Sequence, residues 1–504
     1  MAKQEQTLIV ATRAMNFWFA EIYDDMRLIV NERLLRYKPR KKEYSHTPAV
    51  LADLEPCLAE WYEVSPDGLV YTVYLRRGVK SLYGNELTSE DVKWSLEREF
   101  KIRKLGRWTA RISPMRNEDS VKVKDKYAVE FHLEKPNVTF PHYLASKYLI
   151  MFDHLEMKKH LTDDDPWGEK WLKSHNASYG PFFIEDYDEK NGVATYRARQ
   201  DYWCAGLPKL DRIILRTVPS ARERFNLLRS GEVDMVTNLP VEEFLELQNE
   251  SHINRLVIPS HDPLILQINC QREPFNNPKV RQAICYAIPY KDILDNVWRG
   301  LARPLKSPFV DACLGYTEEL FPYDTNVEKA RALLAEAGLA GGFQTSLLYS
   351  LSITPQSQIE QTVKVIKEAL AKVRITVQLM NLNEPALHDT AFTHEFDLLL
   401  DPHHHMIADG YYISHDDYGD RKWGIENFQQ YYSSELYHVQ AECLKATTEN
   451  ERVPYVRDMQ RIILREAQQA YLLHLNALMA ARNNVNGLEW SVHGRVYYHR
   501  VYKS

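Results

Sequence analysis

From residue 280 onward, apolar side chains recur first at helical and then at strand spacing, and this alternation limits what the chain can fold into more than any other feature. Val280, Ala283, Ile284, Ala287 and Ile288 share one helical face. Ala330, Leu333, Leu334 and Ala337 form a second stripe, followed by Gly338 where a left-handed C-terminal cap is wanted. A third stripe runs from Ile359 through Val363, Ile366 and Leu370 to Val373, and leads into the strand-like segment Ile375 to Leu379. Helix followed by strand, repeated, builds α/β layers. Earlier segments agree. Thr7 to Ala11 reads as a buried strand, Tyr71 to Leu75 and Tyr127 to Leu133 alternate in character, and Thr88 stands three residues before Asp91 at the start of a short helix through Val92, Trp94, Ser95 and Leu96.

With 504 residues the chain has enough length for two or three compact lobes. Neither a long Gly/Ser linker nor an internal repeat marks their boundaries. The net charge of -6 supplies no broad cationic field, so nucleic acid is excluded as a partner. Charges interrupt every apolar run well before the roughly 18 to 20 residues of a membrane-spanning helix. After Lys3 the longest apolar run is Leu8 to Ala11, too short for the core of a secretory signal. Cys57, Cys204, Cys270, Cys285, Cys313 and Cys443 are scattered without a CxxC pair, which removes support for zinc ribbons and thioredoxin-type sites. Their even number permits disulfides, and buried free thiols are the alternative. No GxSxG elbow, HExxH helix, P-loop or dinucleotide fingerprint offers a foothold for catalysis.

Four separated segments carry a more specific signal. Leu58-Ala-Glu60 and Ser65-Pro-Asp-Gly68 precede Tyr71 to Val79, and Leu87-Thr-Ser-Glu-Asp-Val92 follows. Next come Tyr179-Gly-Pro-Phe182, Asp201-Tyr-Trp203, Pro208-Lys-Leu-Asp211 and Ser230-Gly-Glu-Val-Asp234. The third segment contains Asn269, Pro274-Phe275, Val280-Arg-Gln-Ala283 and Tyr286-Ala-Ile288, and the fourth runs from Tyr323-Asp324 to Ala337-Gly338. In order and spacing this series resembles the family 5 extracellular solute-binding proteins, the dipeptide, oligopeptide and nickel-chelate receptors of ABC importers. Ser89 and Pro289 stand where the family usually has alanine and aspartate. Most of these residues are scaffold: glycines at turns, acids at helix starts and large aromatic anchors.

The resemblance implies an α/β fold of the type II periplasmic-binding-protein kind, with two lobes, an extra domain and a ligand cleft between the lobes. Mapped onto this chain, domain I takes 1–45, 178–259 and 483–504, domain II takes 46–177, and domain III takes 260–482, with a strand crossing at Leu264 to Asn269. The implied function is capture of a small-molecule ligand by a monomer and its delivery to an ABC permease, without catalysis, cofactor or resident metal. The implied location is periplasmic or otherwise extracytoplasmic, with an export signal already removed before Thr7.

Cleft residues follow from matched positions. They are Asn16, Phe17, Trp18 and Phe19 in the first lobe; Arg103, Arg107 and Trp108 in the second; and His403, His404, His405, Asp409, Tyr411 and Tyr412 in the third domain. Arginine suits a carboxylate and tryptophan an apolar or cationic face. Here the chain departs from its relatives. Histidines replace a tryptophan, Gly410 replaces a proline, and Met406 stands where peptide receptors carry an aspartate that grips a free amino terminus. The expectation is therefore an opine, an amino-acid conjugate or a small glycoside, with a di- or oligopeptide as alternative and a nickel chelate or an enzyme behind it. Consecutive side chains in extended backbone point to opposite sides, so the three histidines as a run do not read as a metal site.

Overall fold

A computed structural model describes residues 5–13, 27–40, 50, 53–102, 115–146, 149–352, 355–403, 405, 407–420, 426–492 and 494–504. Its backbone is a single large sheet that both lobes share. The chain opens with β1 (Thr7–Thr12), whose Leu8 and Val10 are fully buried. A small pair follows, β2 (Leu35–Tyr37) on β3 (Leu54–Pro56). Next, β4 (Ala59–Val64), β5 (Val70–Leu75), β6 (Val121–Asp125) and β7 (Ala128–His132) make a separate antiparallel sheet in the order β4-β5-β7-β6.

The chain then returns to β1. β8 (Phe182–Asp188), β9 (Val193–Ala198) and β10 (Arg212–Thr217) form a meander whose last strand runs parallel to β1, and β11 (Met235–Val236) takes the other side of β1. β12 (Ile253–Ile268) leads across to β13 (Arg303–Pro304), β14 (Phe343–Tyr349), β15 (Ile375–Asn381) and β16 (Leu398–Pro402). β17 (Gln469–Arg482) crosses back, and β18 (Val485–Asn486) pairs with β19 (Tyr502–Lys503). The large sheet has the order β15-β14-β16-β12-β17-β11-β1-β10-β9-β8, with β13 on β17.

β12 and β17 connect the two halves of the large sheet. They pair antiparallel from Ile253 opposite Arg482 to Gln267 opposite Gln469, so two adjacent strands span both halves of the sheet. The register slips between Pro259 and Asp262, and side chains clamp the slip. His261 Nδ1 lies 2.7 Å from Asp311 Oδ1, and Arg303 bonds Asp311 while donating to the Ser260 carbonyl at 2.8 Å.

The three largest hydrophobic cores among the described residues lie against these layers. Leu8, Val10, Ile213 and Leu215 pack with Met479, Trp490 and Val501, so the first-lobe core draws on both ends of the chain. Leu264, Val280, Ile284, Ile366 and Leu398 form the core of the opposite half. Tyr71, Val73 and Phe131 of the small sheet share a third core with Phe309, Ile413, Tyr418 and Met459. Each such fully buried aliphatic or aromatic side chain contributes roughly 1.5–3 kcal/mol relative to exposure.

The helical stripes appear as Pro278–Ala287, Val327–Glu336 and Gln356–Lys372, and Gly338 has φ +77°. Two expectations need correction. The helix after Thr88 is not short: it runs for 13 residues, Ser89–Lys101, because Asp91 accepts from the Thr88 backbone N–H at 2.7 Å and the strong helix formers after Leu96 extend it. The crossing strand begins eleven residues before Leu264, at Ile253, because the slip absorbs the Pro259 and Pro263 that would otherwise end it. All six cysteines are free, and all but Cys204 are buried.

Candidate ligand-binding site

The third-domain candidates stand at the end of β16, which is held between β12 and β14. Asp401 pairs with Ile265, and the His403 backbone N–H donates to the Pro263 carbonyl at 2.8 Å, which carries strand-like backbone one step beyond β16. Asp401 and His403 therefore point the same way. Nδ1 of His403 lies 3.1 Å from Asp401 Oδ2, and Gln267 Nε2 donates to that oxygen at 3.0 Å. The support extends inward: Gln469 donates to Gln267 at 2.7 Å and accepts from the Tyr418 hydroxyl at 2.6 Å.

The other edge of the His403 ring meets more acid. Nε2 is 2.9 Å from Glu426 Oε2 and 3.4 Å from Asp417 Oδ1. Asp416 lies beside them and accepts from the Tyr412 hydroxyl at 3.3 Å. Asp401, His403, Asp416, Asp417 and Glu426 are all buried. Burial opposes charge on His403, yet Asp417, Glu426 and Asp401 together raise its pKa well above that of a free imidazole. Burial followed by the charges of Glu426 and Asp417 pushes Asp416 well up, towards its neutral form. Burial also acts on Asp401, but His403 and Gln267 overcome it and hold Asp401 below the ordinary carboxylate range.

His405, half-buried, sets its ring edge-to-face against His403 at 4.7 Å between centroids. Asp409 caps the helix Gly410–Tyr418, accepting from the Tyr412 backbone N–H at 2.8 Å, and it takes two hydrogen bonds from Arg452. Tyr411 stacks on His415 at 5.6 Å and lies 5.7 Å from the Arg452 guanidinium. Tyr412 is buried in the core shared with the small sheet. The structure thus brings His403 and His405 into contact and ties Tyr412 to the acidic group through Asp416. Asp409 and Tyr411 instead form a group around Arg452. Asn16, Phe17, Trp18, Phe19, Arg103, Arg107, Trp108 and His404, with Met406, lie outside the described residues.

Sequence reasoning missed Asp416, Asp417 and Glu426. The acidic pair follows Tyr412 on the same helix and could have been found from its spacing, whereas Glu426 reaches the ring only through tertiary folding. An opening of about 560 Å³ lies between the two halves of the sheet, lined by Arg13, Ser220, Arg224 and Glu242 on one side and by Gln356 and Ser357 on the other. Across it Gln358 Nε2 donates to both oxygens of Glu242 at 3.1 Å.

Two paired strands running through both halves of one sheet, with a third layered unit beside them, define a two-lobed binding protein with its ligand cleft between the lobes. The chain belongs to the bacterial extracellular solute-binding proteins, family 5, whose middle-region model matches residues 53–424. It is 30% identical over 307 residues to heme-binding protein A of Haemophilus influenzae, covering 58% of this chain and 55% of that protein. It is 31% identical over 320 residues to the glutathione-binding protein GsiB of Salmonella choleraesuis, covering 63% of this chain and 60% of the relative. The chain thus matches just over half the length of these relatives. In fold it is similar to DppA of Helicobacter pylori in complex with the peptide STSA, at TM-score 0.84 and 23% identity over 99% of this chain and 98% of that one. It is also similar to AgaA of A. tumefaciens R10 in complex with agropinic acid, at TM-score 0.81 and 24% identity over 99% of both chains. No helix among the described residues is long and apolar enough to cross a membrane.

Proposed function

We propose that this chain is the extracytoplasmic ligand-capturing receptor of an ABC importer. It takes a small polar organic solute between its lobes, closes by bending at the β12–β17 crossing, and presents the closed form to a membrane permease without turning the ligand over. In this reading Asn16, Phe17, Trp18, Phe19, Arg103, Arg107 and Trp108, with residues of the segment from His403 to Tyr412, supply the ligand contacts.

The observation that carries the ligand class is the commitment of the third-domain acids. Asp409 is engaged by Arg452 on both oxygens, and Asp401, Asp416, Asp417 and Glu426 are gathered around His403. With Met406 at the position of the amine-gripping aspartate, this favours an opine, an amino-acid conjugate or a small glycoside over a peptide with a free amino terminus. The likeness to AgaA with agropinic acid supports the same choice. The likeness to DppA with a tetrapeptide supports the second reading, a di- or oligopeptide.

A thermal-shift screen over short peptides, opines, sugars and nickel chelates tests the proposal, because a ligand that binds only the folded state raises Tm by mass action. Stabilisation by acidic conjugates or glycosides is the expected result. Stabilisation by ordinary di- to pentapeptides alone moves the assignment to the second reading, and turnover of a stabilising compound overturns the receptor role.

A further inference from the structure

The His403 ring poses a problem of lone pairs. Its Nδ1 edge is turned to Asp401, which is itself fixed by Gln267. If Nδ1 carries the ring proton, Nε2 presents a lone pair to the oxygens of Glu426 and Asp417, 2.9 and 3.4 Å away. Acceptor then faces acceptor inside the protein. Neither His403 Nε2 nor Asp417 Oδ1 completes a hydrogen bond of acceptable geometry, although both residues are more than nine-tenths buried and the two atoms lie 3.4 Å apart. A positive centre is needed between them, and either a second ring proton or a bound cation supplies it.

The geometry points to a cation: we infer that His403, His405 and Asp417, with Glu426 at the margin, form a binding site for a divalent first-row transition ion such as Zn2+. Three features carry this. Donor atoms of His403, His405 and Asp417 all lie within 4.8 Å of one another, and a second such group, Asp416, Asp417 and Glu426, shares Asp417 with the first. Two ligands bound tetrahedrally to zinc at about 2.0–2.2 Å sit roughly 3.3–3.6 Å apart, and Nε2 to Asp417 Oδ1 is 3.4 Å. Finally, Asp401 on Nδ1 is the carboxylate–histidine arrangement that orients a metal-binding imidazole and aims its Nε2 at the ion. Mixed imidazole and carboxylate donors suit zinc and its neighbours better than calcium or magnesium, which favour all-oxygen sites.

His403 and His405 meet ring to ring, with their centroids 4.7 Å apart. Asp401 is a positioning residue in this scheme and His403, His405 and Asp417 are ligands. The inference does not depend on which organic solute enters the cleft, and it is tested without one.

The full-length protein, stripped with chelator and dialysed, is titrated with ZnCl2 by calorimetry and with CoCl2 by visible absorption. One equivalent of Zn2+ should bind, raise Tm, and displace Co2+ showing the absorption of a low-symmetry N/O site. Asp417→Asn and His405→Ala should each weaken Zn2+ binding at least tenfold, and Asp401→Asn should weaken it about 10–100-fold by releasing the ring. If Asp417→Asn fails to fold, His405→Ala, altered at a half-buried ring, decides. Absence of stoichiometric binding, or binding that His405→Ala leaves unchanged, overturns the site and leaves a proton as the positive centre.

Discussion

Asp409 and Arg452, 43 residues apart, meet through two hydrogen bonds of 2.8 and 3.0 Å while the same carboxylate caps the helix Gly410–Tyr418. Both side chains are almost completely removed from solvent. The pair therefore fixes the segment that starts the helix Gly410–Tyr418 to the long helix Glu449–Glu466. Removing one partner strands a buried charge, so Arg452→Met should destabilise the protein by about 3–5 kcal/mol. Urea unfolding followed by circular dichroism measures it. A loss below about 1 kcal/mol would mean that the pair relaxes to water and does not anchor the segment.

Gly180 belongs to one of the motifs that carry the family signal, and its reason is a close approach. A Cβ there would overlap the Val30 carbonyl and come within 2.7 Å of the Asn31 nitrogen. Both obstacles are backbone, which cannot swing aside. Gly180→Ala is expected to cost about 1–3 kcal/mol, at the upper end of that range. A midpoint within error of wild type in the same unfolding assay would show that the chain at Val30 gives way.

His499 sets a pH dependence. Burial, followed by the charges of Arg36, Arg500 and Arg33, holds its pKa well below the ordinary imidazole value, and its Nε2 has no hydrogen-bond partner. Tyr497 supplies the ring packed against it. In the unfolded chain the imidazole takes up its proton near pH 6.5, whereas in the folded state it does so only at lower pH. The unfolded state thus binds more protons in that window, and stability falls as the pH drops below about 6.5. His499→Asn should flatten the stability-versus-pH curve between pH 6.5 and 5. An unchanged slope would assign the acid sensitivity elsewhere.

The thiols give a simple accessibility test. Burial pushes Cys270 up to about 11 and Cys285 up to about 12, and Cys57, held 2.7 Å from Glu32, is raised further. Cys313 and Cys443 are raised by the same cause. The thiolate is the reactive form, so these five should stay silent towards Ellman's reagent at neutral pH. Only half-buried Cys204 should react in the native protein, and six thiols should appear in denaturant. Two or more fast thiols in the native state would contradict the packing around the buried five.

What was legible in the sequence was local. Thr88 and Asp91 lie within one helical turn, so their cap could be read directly, and the stripes at Val280, Ala330 and Ile359 declare their buried faces by spacing alone. β12 was under-read because Pro259 and Pro263 look like terminators until the partner strand supplies a slip that absorbs them. The candidate site divides in the same way. His403 and His405 were marked as candidates by local sequence, whereas Asp417 comes from the next helix and Glu426 from beyond it. For Asp409 the partner Arg452 enters from a distant helix that no local pattern connects to it.

The way β1 is enclosed has a consequence for biosynthesis. Its flanking strands β10 and β11 end by residue 236, but β11 is next to β17, which begins at Gln469, and the Lys503 backbone N–H donates to Gln6 Oε1 at 3.1 Å. The core beneath β1 includes Met479, Trp490 and Val501. During synthesis the small antiparallel sheet can close early, whereas β1 must wait, apolar side chains uncovered, until β17 and β19 have been made. During that interval Leu8 and Val10 are uncovered, and the core they belong to completes itself only once Met479, Trp490 and Val501 have been added.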